Sequence, residues 1–367
     1  MKKTFFDYIS SADSEKVHSQ TIGWIFSENC KALSDNEKTK ILRNITKSNL
    51  NFNIQYTLVE VNDIDILIVC DDALVVIENK IKASESETQL PKYFNIIEEG
   101  VLSNLIENRE RFYIYLSLLE DKSSDDNFFD VSYELLLITI RKYFKNYLFF
   151  GNRDKYILND YLNSISQLVD SLKWMDSDIT VRQWVFNNTS IKKDDYILNN
   201  VFVSNEINYI AINGLVRQMQ KFYFKLVKDN LNLDRNLYNV FYGSSANNGE
   251  GLIQIDFLNY KYSFNNVNLQ IGYQIQSSVV KVNTASENYI NSSINQLNPS
   301  TRDRIEELKN SINFNRINPP QTKAYYSISK NLPKSIFEYS PKELAEYIEL
   351  EIAQINPFVF TFWNSIK

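Results

Sequence analysis

The sequence predicts an α/β fold in which helices flank a mixed sheet, followed by a smaller C-terminal α+β domain. Three apolar, strand-like runs at 54–61, 63–70 and 73–81 follow two helical segments. Another helix, the apolar strand 111–119 and two further helices come next, and this order is typical of a mixed sheet flanked by helices. After about residue 200 the pattern changes to short strands that alternate apolar and polar residues, which indicates an antiparallel sheet.

Length and composition limit the possible classes of protein. The 367 residues are 44% hydrophobic and 23% charged, which is typical of soluble globular proteins. A chain of this length favours two domains, which we place at 1–200 and 201–367. The formal net charge of -6 argues against a protein that coats nucleic acid nonspecifically, but it is compatible with a local basic groove.

Cysteine usage and hydropathy indicate a cytoplasmic protein without membrane helices. Cys30 and Cys70 are the only cysteines, and Cys70 falls in an apolar strand, so a disulfide framework is not expected. The N-terminal segment lacks the apolar stretch of a signal peptide, and no apolar run approaches the roughly 18 residues of a membrane helix. His18 is the only histidine, which excludes a zinc site with several histidines, and we interpret it as a half-buried helix residue.

Periodicity and capping residues place the remaining elements. In the first half the predicted helices are 13–30, 36–48, 84–100, 131–144 and 159–175, and 121–130 is a polar loop. In the second half we predict one amphipathic helix at 205–230, a hairpin loop at 247–251 and helices at 286–296 and 300–313. The last helix begins after Ser340, with Pro341 at its first position and Glu343 completing a capping box.

Aromatic residues are frequent in the strands of the second half. We interpret them as sheet core, and a platform on which nucleic-acid bases stack is the alternative. They are Tyr238, Phe241, Tyr242, Phe257, Tyr260, Tyr262 and Phe264.

The most informative segment is 61–80, in which two apolar runs are joined by a short acidic turn. Side chains alternate faces along a strand, so Glu78 and Lys80 point to the same side at the end of the second run. If the two runs pair as a hairpin, Asp65 approaches the same edge. Asp63 competes with Asp65 for this place, since both lie on one face of a regular strand.

Two carboxylates beside an ammonium group suit the hydrolysis of a phosphodiester. Mg²⁺ prefers oxygen ligands and keeps several waters, so Asp65, Glu78 and the backbone carbonyl of Asn79 suffice to hold it. The metal lowers the pKa of its bound water and stabilises the developing charge. Lys80 can orient the attacking water or stabilise the transition state.

This arrangement resembles the PD-(D/E)xK nuclease superfamily. Asp65 and Glu78-Asn79-Lys80 at the end of an apolar strand match its motif, although Ile64 stands where the family's proline is expected. The stretch ENKIKASESETQLPKYFNII resembles a subgroup in which an ENKI-type strand leads into a helix bearing Q-L-x-x-Y. The resemblance covers about residues 10–175 and implies a restriction-endonuclease-like fold. It also implies that Asp65 and Glu78 bind Mg²⁺, for which Mn²⁺ can substitute, and that Lys80 is the catalytic lysine.

The same resemblance implies roles for three residues outside the strands. Glu15 lies in a Glu-x-x-His segment similar to the subgroup's N-terminal helix, which implies an accessory metal ligand, direct or through water. Gln89 is expected to point from its helix toward the site and to hold substrate or water. Tyr93, one turn further, packs beneath the substrate or contacts its backbone. For Glu15 and Gln89 the alternative is an ordinary solvated helix face, and for Tyr93 we prefer packing.

Basic residues near the site offer contacts for a phosphate backbone. Lys82 and Lys92 are the nearest candidates. For Arg141, Lys142 and Lys145 we prefer an ordinary solvated helix surface.

We therefore predict a metal-dependent nuclease, an endonuclease that acts on DNA in preference to RNA. Family analogy suggests a bacterial anti-phage defence effector, and the C-terminal domain is then a sensor or a dimerisation surface. A homodimer or an activating protein partner is compatible with this function. The alternative is a nuclease-like module that binds nucleic acid or protein without catalysis.

Overall fold

The computed structural model describes residues 4–9, 11–82, 89–100, 102–105, 108–119, 121–144, 152–188, 204–244, 250–264, 267–286, 307–318 and 325–366. The chain divides into two compact units. The first comprises Met1–Leu172 and Lys193–Leu215, and the second comprises Lys173–Lys192 and Val216–Lys367. The chain therefore enters the second unit, returns to the first and leaves it again, whereas we predicted a single boundary at residue 200.

A five-stranded sheet forms the centre of the first unit. Its strands follow one another in chain order: β1 (Ile54–Val61), β2 (Ile64–Cys70), β3 (Ala73–Lys80), β4 (Glu110–Ser117) and β5 (Phe128–Ser132). The first three strands pair antiparallel, and the last three pair parallel. The predicted mixed sheet is thus confirmed.

Strand β5 corrects the predicted loop at 121–130 and the predicted helix start at residue 131. Phe128–Ser132 pairs with β4, and the helix begins at Tyr133 instead. The strand is short and lies at the edge of the sheet, with two adjacent residues, Phe129 and Asp130, exposed. Its sequence therefore shows neither a strict alternation of apolar and polar residues nor a continuous apolar run, the two patterns that identify a strand.

The helices that accompany this sheet follow the predicted order along the chain, apart from α1, which was not predicted. They are α1 (Phe5–Tyr8), α2 (Glu15–Phe26), α3 (Asp35–Thr46), α4 (Gln89–Glu98), α5 (Tyr133–Tyr143) and α6 (Arg153–Ser177), with a 3₁₀ turn at Ser103–Leu105. Ser34 and Glu37 form a capping box at α3, and the Ser132 hydroxyl accepts a hydrogen bond from the Leu135 amide at the start of α5. Pro91 is the third residue of α4, where no intrahelical N–H bond is lost.

The hairpin of β1 and β2 fixes the register that the site requires. Its two-residue loop, Asn62 and Asp63, joins the paired residues Val61 and Ile64, and both loop residues have positive φ angles, 49° and 66°. This is the type I′ geometry that suits the twist of antiparallel strands. Asp63 therefore lies in the turn, and Asp65 is the aspartate that faces the neighbouring strand.

The second unit contains a six-stranded antiparallel sheet in the order β10-β11-β9-β8-β7-β6. Its strands are β6 (Tyr238–Ser244), β7 (Gly251–Phe264), β8 (Val267–Gln276), β9 (Val279–Ser286), β10 (Arg316–Asn318) and β11 (Tyr325–Asn331). The other helices in the described part of the chain are α7 (Ile179–Asn187), α9 (Val216–Asn230) and α10 (Pro341–Ile366) in this unit, with a 3₁₀ turn at Ile336–Glu338, and α8 (Asn205–Ile212) in the first unit. Helix α9 contacts β6, β7 and α10.

Two details of the predicted second half are corrected or confirmed. The single helix predicted at 205–230 is two helices, α8 and α9, separated at Gly214, whose φ angle is 59°. The capping box at Ser340 is confirmed, since the Glu343 amide donates to the Ser340 hydroxyl at 3.2 Å and the Ser340 amide donates to Glu343 at 2.7 Å. Residue 286 of the predicted helix 286–296 is the end of β9, and the rest of that helix and most of the predicted loop 247–251 lie outside the described residues.

The aromatic residues of this sheet contribute to its core where their side chains are described. Tyr238 and Phe257 are buried, and their rings pack edge to face with centroids 5.3 Å apart. Phe241 is exposed, and the side chains of Tyr260, Tyr262 and Phe264 lie outside the described part of the chain. Within the described ranges, none of the helices has the length and apolarity that crossing a membrane requires.

Candidate active site

Asp65 and the end of β3 meet in the middle of the first sheet. The register that pairs Ile66 with Ile77 places Asp65 opposite Glu78. The backbone amide of Asn79 donates a hydrogen bond to Oδ2 of Asp65 at 2.8 Å. The structure therefore brings together the residues that the hairpin in the sequence predicted to converge.

Glu78 and Lys80 form an ion pair on one face of β3. The Glu78 side chain is 0% exposed, and the Lys80 side chain is 10% exposed. Apart from this ion pair, neither oxygen of Glu78 accepts a well-formed hydrogen bond from a residue that the structure describes. A buried carboxylate with so few partners is costly to keep ionised, and further positive charge beside it would be favourable.

Gln89 holds the other side of the Lys80 ammonium. It is the first residue of α4, and its Oε1 accepts a hydrogen bond from Nζ of Lys80 at 3.0 Å. Lys80 is thus fixed between an acidic and an amide side chain, with few conformations open to it. The structure thus places Gln89 beside Lys80, and its role in holding substrate or water stays a prediction.

Tyr93 lies one turn further along α4 and is fully buried in the core. Burial, followed by the negative charges of Glu78 and Asp65, raises the pKa of its hydroxyl well above the usual range. Tyr93 therefore remains protonated beside the two carboxylates. It packs beneath them and in this conformation offers no surface to a nucleic acid.

The electrostatics of the carboxylates favour a bound cation. Burial and then the neighbouring Glu78 raise the pKa of Asp65 to about 7, against the opposing effects of the Asn79 amide and Lys80. Burial likewise raises the pKa of Glu78, although the Lys80 ammonium opposes this. The two acids thus resist being charged together until positive charge arrives.

The oxygen donors fit a hard divalent cation. Two neighbouring carboxylates, one of which is fully buried with Lys80 as its ion-pair partner, match the preference of Mg²⁺ for oxygen ligands and retained waters. Within the described ranges, no cluster of three or more His, Cys, Asp or Glu side chains is arranged to hold a metal.

Glu15 is the first residue of α2 and binds the chain just beyond β3. One oxygen of its carboxylate accepts hydrogen bonds from the backbone amides of Ile81, at 2.9 Å, and Lys82, at 2.8 Å. Glu15 therefore fixes the direction in which the chain leaves the site. Its role as an accessory metal ligand remains a prediction.

The side chain of Asn79 points to the opposite face of β3 and joins three elements. Its amide nitrogen donates to the Glu15 carbonyl and to the Ser19 hydroxyl, each at 3.0 Å, and its amide oxygen accepts from the Tyr133 hydroxyl at 2.5 Å. Ser19 and Tyr133 were not predicted. The sequence offered one indication of such partners, because the side chain of the residue between Glu78 and Lys80 must point to the opposite face of the strand.

His18 is a fully buried neutral residue and lies outside the carboxylate cluster. The Ala12 carbonyl can only accept, so the His18 Nε2–H donates to it, at 2.8 Å, and Nδ1 accepts from the Tyr161 hydroxyl at 3.0 Å. Burial lowers the pKa of His18 to about 4. The interpretation as a structural helix residue agrees with this environment, although burial is complete rather than partial.

The predicted phosphate-binding lysines are each paired with an aspartate. Lys82 forms an ion pair with Asp13, and Lys92, on α4, forms an ion pair with Asp63 in the β1–β2 turn. A substrate phosphate near either lysine would compete with its aspartate.

The helix cluster predicted as a solvated surface lies further along the chain. The Arg141 guanidinium donates to the Leu162 carbonyl at 3.4 Å, and Lys142 lies over the Tyr143 ring at 5.3 Å. Lys145 lies outside the described residues. Arg141 and Lys142 thus make local contacts within the helical layer.

Comparison with known proteins gives one result for this chain. Residues 3–183 match a family model described as the PD-(D/E)XK nuclease superfamily. No curated protein and no solved structure gives a significant match. The match does not distinguish the subgroup with the ENKI strand and the Q-L-x-x-Y helix. The matched region contains Asp65, the end of β3 and α4, and through it the chain belongs to the PD-(D/E)XK nuclease superfamily.

Proposed function

We propose that the protein is a Mg²⁺-dependent nuclease that hydrolyses phosphodiester bonds at the end of β3. The observation that carries the proposal is a fully buried Glu78, ion-paired with Lys80 and placed opposite Asp65. This is the arrangement of charges expected of the family's motif, built by residues that converge from two strands. Members of this superfamily generally use divalent metals and act on nucleic acid.

Asp65, Glu78 and the backbone carbonyl of Asn79 would hold the metal, with Glu15 as an accessory ligand through water. Bound there, Mg²⁺ would lower the pKa of a coordinated water and neutralise charge on the phosphate, and Mn²⁺ is expected to substitute for it. The Asn79 amide keeps Asp65 oriented by its hydrogen bond to Oδ2. Glu15 keeps the chain after β3 in place through its two amide contacts.

Lys80 contributes a positive charge to the proposed site, in addition to that of the metal. Its ammonium donates to Gln89 and pairs with Glu78, so it is held at the site before any substrate arrives. In that position it can donate a hydrogen bond to the attacking water or to a phosphate oxygen as negative charge develops. Gln89 orients Lys80 and is available to substrate or water on the same side.

We propose DNA rather than RNA as the substrate and endonucleolytic cleavage as the reaction. Lys82 and Lys92 would bind backbone phosphates by exchanging their aspartate partners for phosphate oxygens. A role as an anti-phage effector, acting as a homodimer or with an activating partner, rests on family analogy. The second unit is the candidate for sensing or dimerisation.

The alternative function is a nuclease-like module that binds without cutting. A pure binding module has no use for two carboxylates whose pKa values are raised chiefly by burial, because in their ionised form they repel a phosphate backbone. Metal binding without cleavage of any nucleic acid would favour this alternative.

A cleavage panel with a Lys80→Ala variant tests the proposed function. Supercoiled plasmid, linear duplex, single-stranded DNA and RNA are incubated with Mg²⁺, Mn²⁺ or EDTA. We expect metal-dependent cutting by the wild type and a loss of at least about a hundredfold in Lys80→Ala, since Lys80 supplies charge stabilisation at the reacting group. The matched control is Lys342→Ala on α10, a lysine whose side chain is 76% exposed. Equal cleavage by wild type and Lys80→Ala would refute the assignment.

A further inference from the structure

The face of β3 opposite the carboxylates holds a buried polar junction. The Asn79 side chain is enclosed there and uses both amide hydrogens, one on the Glu15 carbonyl and one on the Ser19 hydroxyl. Its oxygen accepts from the Tyr133 hydroxyl. Three elements, α2, β3 and α5, are thereby joined through a single amide group.

The orientation of this amide follows from its partners. A backbone carbonyl can only accept, so the contact with Glu15 O requires the nitrogen of Asn79 on that side. The oxygen must then face Tyr133, and the Tyr133 hydroxyl must be the donor. Neither the amide nor the hydroxyl can be reversed without leaving a buried polar group unpaired, which is unfavourable.

Tyr133 is itself held rigidly. It is the first residue of α5, its side chain is fully buried, and its ring packs edge to face against His18 with centroids 5.5 Å apart. The Ser132 hydroxyl caps the helix at this end. The phenol oxygen therefore has a fixed position from which to hold Asn79.

The junction is connected to the metal site through the peptide group of Asn79. The amide of this residue orients Asp65, its carbonyl is a proposed ligand, and its two sequence neighbours are Glu78 and Lys80. Fixing the Asn79 side chain from behind fixes the rotation of that peptide. Groups behind metal ligands typically change metal affinity by 10- to 100-fold when removed.

We propose that Tyr133 is a positioning residue that acts through Asn79, with Ser19 in support, to set the geometry of the metal-binding carboxylates. The inference rests on the proposed function of the site, since it assumes that a divalent cation binds there. Tyr133 lies on the face of β3 opposite the carboxylates, so its removal is expected to change how well the site is formed and to leave the set of reacting groups intact.

The test compares two tyrosine-to-phenylalanine variants of the full chain. Tyr133→Phe removes the hydroxyl that holds Asn79, whereas Tyr161→Phe removes the equally buried hydroxyl that bonds to His18. Mg²⁺ and Mn²⁺ binding is measured by titration calorimetry without nucleic acid, alongside thermal unfolding in EDTA. We expect the dissociation constant to rise about tenfold in Tyr133→Phe and to stay within about twofold of wild type in Tyr161→Phe.

A double-mutant cycle shows whether the effect passes through Asn79. Once Asn79→Ala has removed the amide, adding Tyr133→Phe should weaken metal binding no further. A full tenfold effect of Tyr133→Phe in the Asn79→Ala background would overturn the proposal, and so would equal weakening by Tyr133→Phe and Tyr161→Phe. If the wild type binds no divalent cation, the proposed function itself is wrong. If the wild type binds and Tyr133→Phe binds equally well, only this inference fails.

Discussion

Three consecutive residues at the end of β3 divide their tasks by the alternation of a strand. Glu78 and Lys80 face the site, and Asn79 faces the helices behind it. The backbone of Asn79 serves the front through Asp65 while its side chain serves the back. In this motif the two charged residues therefore face the site, and the single residue between them holds the strand from the opposite face.

At this scale the sequence predicted the charged residues and missed their anchors. Strand alternation and a possible hairpin predicted that Asp65, Glu78 and Lys80 converge, and the family resemblance added Gln89 and the roles of all four, which stay predictions. Ser19 and Tyr133 could not be predicted, since a serine in a helix and a tyrosine at a helix start are common. Only the packing of three elements gives them a shared partner.

The buried His18 predicts a dependence of stability on pH. Its folded pKa, about 4, lies below the ordinary value of 6.5, so the unfolded chain takes up a proton first as the pH falls. The stabilising contribution of neutral His18 is therefore complete above pH 6.5 and lost between about 6.5 and 4. A pKa shift of this size corresponds to a loss of about 3 kcal/mol in the free energy of unfolding once His18 is protonated in both the folded and the unfolded state. Chemical denaturation from pH 7 to pH 4 measures it.

The control variant for this prediction is His18→Asn, which lacks the imidazole and keeps the carboxylates. It is needed because a carboxylate with a raised pKa makes the stability depend on pH in the opposite direction. Asp65, with a pKa raised to about 7, binds a proton more readily in the folded state, so its contribution increases as the pH falls. Subtracting the variant's free energy of unfolding from that of the wild type cancels this contribution. The difference should shrink by about 3 kcal/mol toward pH 4, and a difference that is constant with pH would contradict the burial of a neutral His18.

Whole elements were predictable where one physical signal dominated. The first five residues of β3, 73–77, form a continuous apolar run that was identified as a strand, and all eight residues of the strand are buried. The helix break at Gly214 carried no comparable signal, because an amphipathic pattern continues on both sides of it. A left-handed residue between α8 and α9 is a feature of the backbone, and a single glycine indicates it only weakly.

Gly214→Ala tests this break. The φ angle of 59° is unfavourable for a residue with a Cβ, and the added Cβ would lie 3.2 Å from Nζ of Lys82. We expect a loss of about 1–2 kcal/mol in the free energy of unfolding. Gly243→Ala is the matched control, since nothing lies within 4 Å of its added Cβ and its φ angle is not in the left-handed region. If the two substitutions cost the same in urea denaturation, the left-handed turn would be refuted.

For the whole molecule, the division into compact units differs from the single boundary at residue 200 that the composition suggested. The sequence pattern changes near residue 200, where the helices that precede the antiparallel sheet begin. The first unit nevertheless includes residues up to Leu215. Helix α8 buries Ile207, Ile210 and Ala211, although a boundary at residue 200 would assign it to the second domain. Local sequence patterns cannot reveal this, because an apolar helix face does not specify the unit against which it packs.

A pair of isoleucine substitutions in the full chain locates this boundary. Ile210 on α8 and Ile348 on α10 are both 0% exposed, and the division assigns the first to unit one and the second to unit two. Replacing either by alanine should cost about 2–5 kcal/mol. Hydrogen exchange followed by mass spectrometry should then show faster exchange for Ile210→Ala in peptides of the first unit, such as those covering α1 and α2. Ile348→Ala should accelerate exchange in β8, β9 and α9 instead. Faster exchange of those second-unit peptides in Ile210→Ala, with the first unit unchanged, would place the boundary back at residue 200.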